Sequence, residues 1–337
     1  MKHHLPTGKL PPELLARLLG KIQRHDKRVM VGGQYGEDAA VIEFGGSCLI
    51  AASDPITFAA DRPAWYAVQV NANDIAAMGG ECRWLLATVL LPEGSTDETM
   101  VETLFEELSE ACTKIGVEIV GGHTEVTAGL ERVLICGTML GEAKPGRLCL
   151  KRNARRGDHL LLTKAIAVEG TALIAREFPD KLTKCCTEAE ILQSAKLLDE
   201  PGISVVAEAR SALDAGGVHA MHDPTESGLA GAVRELAEAA VLGVELELEK
   251  VPVYESTKKI CAHLGLDPLG LIASGSLLIA CEPSASVSII KAVESAGENC
   301  AIIGRLTGRE TGLVEIKNGR KQALRQFERD EIVRLFE

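Results

Sequence analysis

The sequence is poor in aromatic residues, which fill only 3 % of its 337 positions. A core with so few rings must be aliphatic, which favours a layered α/β enzyme over a β-sandwich. Basic residues are also in deficit: 36 Lys and Arg stand against 48 Asp and Glu, a net charge of −12. That balance opposes attraction to nucleic-acid phosphates and to anionic lipid. No apolar run approaches the roughly 20 residues that a membrane helix needs; 85–91 and 277–281 are strand-sized. The first residues, with His3, His4, Pro6 and Lys9, lack the apolar stretch of a secretory signal. The expectation is a cytoplasmic protein with no nucleic-acid and no membrane partner.

Recognisable metal and nucleotide signatures are missing as well. None of the ten cysteines forms a C-x-x-C, and eight of them stand singly among Leu, Ile, Val and Ala. Cys185 and Cys186 are adjacent, a spacing that suits neither a zinc knuckle nor an ordinary disulfide. The ten read as reduced thiols used as small hydrophobes. No G-x-x-x-x-G-K-[ST], G-x-G-x-x-G, H-E-x-x-H or G-x-S-x-G occurs, which argues against a P-loop kinase, a Rossmann dehydrogenase and the common hydrolases.

What is present is an ordinary globular composition, 46 % hydrophobic and 25 % charged, with 33 glycines. The length favours two domains. The basic, turn-rich stretch 144–158, with Pro145, Gly146, Arg152, Arg155, Arg156 and Gly157, marks the junction. The domains are then expected at 1–150 and 151–337. Helical spacing appears at Leu14, Leu15, Leu18 and Ile22 behind Pro11 and Pro12, in the Ala-rich 64–78, and from Glu98 to a stop at Gly116. Strands are expected at 39–44, 48–52, 85–91, 117–120 and 133–140. In the second half the pattern predicts strands at 160–163 and 275–281, a strand end at 219–222, and helices near 171–177, 188–198, 204–213 and 228–240. Thr187 and Glu190 form a capping box, and a short helix closes the charged tail.

Within this frame several carboxylates stand at strand ends or turns among small residues. They are Asp38 in Gly36-Glu37-Asp38-Ala39-Ala40, Asp54 in Ser53-Asp54-Pro55, Asp74 in Asn71-Ala72-Asn73-Asp74, and Asp223 in His222-Asp223-Pro224-Thr225. Any one of them could simply cap a helix or make a turn. Four together, in Gly/Ala-rich surroundings, point to a metal–phosphate site, because small neighbours admit a polyphosphate and Asp oxygens are the ligands Mg²⁺ prefers. Asn71 and Asn73 either donate amides to phosphate or cap. Gly121-Gly122-His123-Thr124-Glu125 follows an apolar strand, where α/β folds present ligand loops, and its glycines free N–H groups for anions. His123 could bind metal, contact phosphate or shuttle a proton. Lys164 is either a phosphate contact or a solvated lysine. His219 and His222 point to opposite faces of a strand and make no joint site.

Taken in order, these segments, with Asn73-Asp74-Ile75-Ala76-Ala77-Met78-Gly79 and Ser274-Gly275-Ser276-Leu277-Leu278-Ile279, resemble the aminoimidazole ribonucleotide synthetase-like superfamily of ATP enzymes. It includes hydrogenase-maturation carbamoyl dehydratases, thiamine-monophosphate kinases, selenophosphate synthetases and formylglycinamidine synthases. The resemblance implies an amino-terminal α/β domain whose sheet pairs in a homodimer, an α+β domain closing the active-site cleft, and ATP with Mg²⁺ held in that cleft near the dimer interface. It implies metal ligation by Asp38, Asp54 and Asp74, nucleotide contacts from Gly36, Asn71, Asn73, Gly121, Gly122, Thr124, Glu125 and Lys164, and catalytic roles for Asp74, His123 and Asp223.

Asp223-Pro224-Thr225 followed by Gly228-Leu229-Ala230 looks most like the dehydratase branch, which phosphorylates a thiocarboxamide oxygen and then eliminates phosphate. In that branch the acceptor sulfur is a cysteine at a flexible carboxyl terminus; here the last cysteine is Cys300. His123 replaces a usual Asp, and 165–170 replaces a more glycine-rich turn. No cysteine precedes Cys48, which disfavours selenophosphate synthesis. The expected function is activation of an amide, thioamide or similar oxygen of a small-molecule or protein-borne acceptor by phosphorylation. The alternatives are a small-molecule kinase and a catalytically silent nucleotide-binding assembly protein.

Overall fold

The computed structural model describes residues 5, 8–23, 25–34, 36–57, 59 and 61–336. Its strands are β1 (Val29–Val31), β2 (Ala40–Phe44), β3 (Ser47–Ile56), β4 (Glu81–Pro92), β5 (Glu118–Thr127), β6 (Leu134–Ala143), β7 (His159–Thr163), β8 (Val218–His222), β9 (Gly243–Glu247), β10 (Leu278–Cys281), β11 (Cys300–Thr307), β12 (Leu313–Lys317) and β13 (Arg320–Ala323). The helices are α1 (Pro12–Leu19), α2 (Pro63–Ala77), α3 (Glu98–Ile115), α4 (Val168–Glu177), α5 (Pro179–Leu182), α6 (Glu188–Ala195), α7 (Val206–Ala215), α8 (Gly228–Ala239), α9 (Glu255–Leu264) and α10 (Ser286–Ser295). No helix among the described residues is long and apolar enough to cross a membrane. The chain divides into two compact units. One is Asp26–Gly32 with Asp38–Leu148; the other is Met1–His25, Gly33–Glu37 and Cys149–Glu337. Helix α1 thus groups with the carboxyl-terminal half rather than with the strands that follow it.

In the first unit the strands run β1-β2-β3-β6-β4-β5. All pairs are antiparallel except β4 with β5. Helix α2 lies on β3 and β6, with α3 packed against it. The sequence explains why α2 can sit so low. Its alanines present little bulk, and β6 offers glycine beneath it: a Cβ at Gly141 would stand 2.3 Å from Ile75 Cγ2, and one at Gly137 would stand 2.5 Å from Asn71 Nδ2. Helix α3 begins at Asp97, whose carboxylate accepts from the Met100 N–H at 2.8 Å, and ends on left-handed Gly116. Leu104, Leu108, Ala111 and Cys112 form its buried stripe.

The second unit orders its strands β13-β12-β9-β11-β7-β10-β8, with only β12 and β9 parallel. Helix α8 lays Leu229, Val233 and Leu236 into a core shared with Leu160 and Leu162 of β7 and Leu246 of β9. The expected capping box of Thr187 and Glu190 opens α6. The tail closes, as expected, in a short helix, the 3₁₀ turn Glu331–Leu335 begun by Asp330; β13 before it is not among the expected strands. None of the ten cysteines is in a disulfide: six are buried and four half-buried.

Candidate functional site

In the first unit, β3 pairs with β2 only up to Ala51, and then runs on beside β6 alone. Asp54 lies on this extension, opposite Gly137. Its main-chain groups are taken up by a side chain of α2. The Asp54 N–H donates to Asn71 Oδ1 at 2.9 Å, while Asn71 Nδ2 donates to Asp54 O at 3.3 Å and to Ala67 O at 2.8 Å. Both amide hydrogens of Asn71 are therefore spent on backbone carbonyls. The residue fixes Asp54 and has none left for a phosphate, contrary to its expected direct role.

Asp74 follows Asn71 by three residues, on the same side of α2, and is 5 % exposed; Asn73 is wholly buried. Asp38 stands two residues before β2, at the end of the ladder from which β3 runs on to Asp54. Asp38 and Asp54 are half-buried. Among the described residues Asp38, Asp54 and Asp74 do not close into one three-ligand cluster; each offers the hard carboxylate oxygen that suits Mg²⁺ when the ion also keeps water and phosphate as ligands.

The segment Gly121–Glu125 departs from expectation. It is the middle of an edge strand, β5, where Leu86 faces Gly121 and Leu90 faces Glu125. Gly122 is required for that close pairing: its φ is +144°, and a Cβ there would fall 1.9 Å from Ala87 O. The glycines therefore serve strand contact, and no phosphate-cradling turn forms. His123 and Glu125 share one face of β5, with Nε2 and Oε2 3.1 Å apart, and Thr127 Oγ1 donates to Glu125 Oε1 at 2.9 Å. The bonds from His123 and Thr127 hold the exposed Glu125 carboxyl below its usual range. Thr124 is exposed on the opposite face.

In the second unit Asp223, 1 % exposed, follows directly on β8. Beside it, His222 Nε2 lies 2.8 Å from Glu235 Oε2 of α8. Burial pushes the Glu235 carboxyl up, but the bond to His222 and the charges of Lys9 and Lys151 together bring it below the usual range. The Lys9 N–H donates to Glu226 Oε2 at 3.1 Å and its Nζ to Thr225 Oγ1 at 3.2 Å, which ties Gly8-Lys9 to the loop after Asp223. Gly36 belongs to the same unit and lies against α8, its Cβ position 3.4 Å from Glu235 O. His219 takes a different partner, Asp158, at 2.9 Å, in keeping with the absence of a two-histidine site.

These two units correspond to a described pair of domains. Residues 36–143 match the AIR synthase related protein N-terminal domain, and residues 155–317 match its C-terminal domain. The chain belongs to the AIR synthase related family. It is 28 % identical over 320 residues to the carbamoyl dehydratase HypE of Azotobacter vinelandii, covering 92 % of this chain and 87 % of that one. It is 30 % identical over 272 residues to a selenide, water dikinase of Nitratidesulfovibrio vulgaris, covering 78 % and 74 %. A crystal structure of the hydrogenase maturation protein HypE in complex with ATP aligns with a TM-score of 0.72 at 23 % identity, over 95 % of this chain and 91 % of that one. The AIR synthase related fold implied by the motifs is the fold observed.

Lys164 has neither of its expected surroundings. It is not solvated, and it reaches none of the other candidate residues. Its ammonium is buried 2.5 Å from Glu208 Oε1 and donates to Ser204 O at 2.6 Å, with both side chains at most 3 % exposed. Lys164 and, three residues on, Ala167 both hold φ above +50°, a strain the surrounding packing must offset. Sequence reasoning also passed over Asp330, in a tail that reads only as charged. Its carboxylate accepts from the N–H groups of Ser227, Ile272 and Ile332 at 2.7, 3.2 and 2.8 Å. Glu169, 6 % exposed at the start of α4, lies near Asp330 and against Ser274. Only tertiary contacts, over 58 and 103 residues of chain, single out Asp330.

Proposed function

We propose that this chain is a Mg²⁺-dependent, ATP-using enzyme that phosphorylates an amide, thioamide or similar oxygen of its acceptor, as a step towards dehydration. The observation that carries the reading is the placement of Asp54 in the first unit: its backbone is clamped by Asn71 of α2, and Asp74 stands one turn further along that helix. Asp38, Asp54 and Asp74 would hold the metal, which when bound neutralises charge on the transferring phosphoryl group. The chain's own contribution is positioning. Asn71 removes the freedom of Asp54, the Gly137 and Gly141 approach fixes α2 over the sheet, and His123 with Glu125 provides a proton-handling pair. In the second unit Asp223 is the proposed acceptor-side carboxylate.

All ten cysteines lie in the two folded units, and Cys300 is in β11. The proposed acceptor is a small molecule or a protein-borne group. The kinship with a selenide, water dikinase supports a second reading, in which phosphoryl transfer is the final outcome. Product analysis separates the two: a stable phosphorylated product marks a kinase, and free phosphate with a dehydrated product marks the first reading. We also propose that the enzyme is a homodimer joined through β5.

The metal assignment is tested by titrating a non-hydrolysable ATP analogue into native and Asp74→Asn protein with and without Mg²⁺. The variant should bind at least about tenfold more weakly with Mg²⁺, and equally or more tightly without it, where a like charge has been removed. Equal weakening under both conditions, or none, would overturn the assignment.

A further inference from the structure

The adjacent cysteines play no part in the site above. Their sulfurs lie 3.5 Å apart, in the turn between α5 and α6. Both main-chain N–H groups donate to Leu182 O, at 2.9 and 2.8 Å, and the capping box that opens α6 follows immediately. Cys185 is half-buried, and Cys186 is 8 % exposed. Lys259, held 2.6 Å from Glu190, brings its charge beside both sulfurs.

The geometry separates two fates for such a pair. Neighbouring Cα atoms across a trans peptide are about 3.8 Å apart, closer than the roughly 4.4 Å at which ordinary disulfides begin, so direct S–S closure must distort the main chain. A single atom bridging the sulfurs needs no such distortion. With bonds of about 2.3 Å, the length thiolates make to zinc, it would meet sulfurs 3.5 Å apart at an angle of roughly 100°. Among the described residues no further His, Cys, Asp or Glu ligand completes a metal cage around the pair, so the bridging atom must be content with two sulfurs. Burial and the neighbouring Cys185 push the Cys186 thiol up to about 11, so the bridging chemistry must also remove its proton.

We propose that Cys185 and Cys186 form a dithiol site for trivalent arsenicals of the type R–As=O. Two As–S bonds form, while the As=O bond and both S–H bonds break. The oxygen leaves as water with the two thiol protons, and arsenic stays trivalent, so no oxidant or reductant is consumed. The probe is phenylarsine oxide, added to the full chain. Intact mass should show one phenylarsenic group per chain, retained in excess 2-mercaptoethanol, stripped by a dithiol, and mapped to the peptide containing 185–186. Cys185→Ser and Cys186→Ala should each weaken binding about 100-fold or more, as expected when the second bond is lost, and Cys300→Ser should not change it. Because Cys185 is half-buried, its serine variant tests the site without opening the core. The proposal is overturned if the native chain takes up no group, if the group maps elsewhere, or if either single variant binds within about threefold of native.

Discussion

β5 closes the first unit's sheet with ten residues, every one exposed except the half-buried Thr127. It includes Ile119, Val120 and Val126, which are 40–57 % exposed. β13 closes the second unit's sheet with only four residues, two of them Arg320 and Lys321. Short, charged edges resist pairing with another chain, whereas long apolar ones invite it. The same contrast runs through the charges inside. The second unit buries several ionisable groups against partners: Lys164 with Glu208, His222 with Glu235, and Asp330 with three N–H groups. In the first unit Asp54 stays half-buried and exposed Glu125 pairs with exposed His123. One unit thus satisfies itself, and the other presents an open edge and a row of carboxylates, which is where a second copy and a metal nucleotide are proposed to bind.

The largest predicted effect breaks the second unit's pairing. Glu208→Ala strands the Lys164 ammonium at a position 2 % exposed and should cost about 3–5 kcal/mol by urea unfolding, most of it recovered when Lys164→Met is added. A loss below about 1 kcal/mol would mean the pair is dispensable and the contrast between the units is overdrawn.

A smaller effect comes from Glu169 and Asp330. Burial pushes both carboxyls up to about 7, Asp330 despite its three hydrogen bonds. A folded carboxyl that keeps its proton while the unfolded one has lost it stabilises at low pH. That stability is complete below the unfolded value and is lost as pH rises through the folded one. Raising pH from 5 to 7 should therefore destabilise native protein relative to Glu169→Gln by about 2 kcal/mol, with little further difference above pH 8. A difference that is flat from pH 5 to 8 would show that Glu169 ionises normally.

The same contrast sorts what could be read from the sequence. Local signals sufficed for Asp97 and Gly116 around α3, for Thr187 with Glu190, and for the motif series that marks the family. Gly121–Glu125 misled because a glycine pair reads as a turn, and only the pairing with β4 shows that Gly122 admits the Ala87 carbonyl. Asn71 and Lys164 misled for the opposite reason. Polar side chains suggested ligand contacts, but Asn71 meets the backbone of Asp54, 17 residues away, and Lys164 meets Ser204, 40 residues away. Satisfying a buried donor is a property of the fold and leaves no local pattern. β9, β11 and β12 have no counterpart in the sequence reading; β9 and β12 are short, and all three are held by pairing, β11 between β7 and β9 and β12 on β9, rather than by their own alternation.

The smallest effect tests the open edge directly. Val126 pairs with Leu91 across β4 and β5 and is 57 % exposed, so Val126→Lys places on β5 the kind of charge that β13 already carries. A lysine there loses nothing from the monomer's core, and unfolding of the isolated chain should change by less than about 0.5 kcal/mol. If β5 is the dimer edge, the lysine puts a charge on the strand that must pair, and the dimer dissociation constant by sedimentation should rise at least about tenfold, or 1.4 kcal/mol. Arg320→Ala on β13 should leave the constant unchanged. A dimer that survives Val126→Lys but yields to Arg320→Ala would reverse the comparison and make the charged edge the one that pairs.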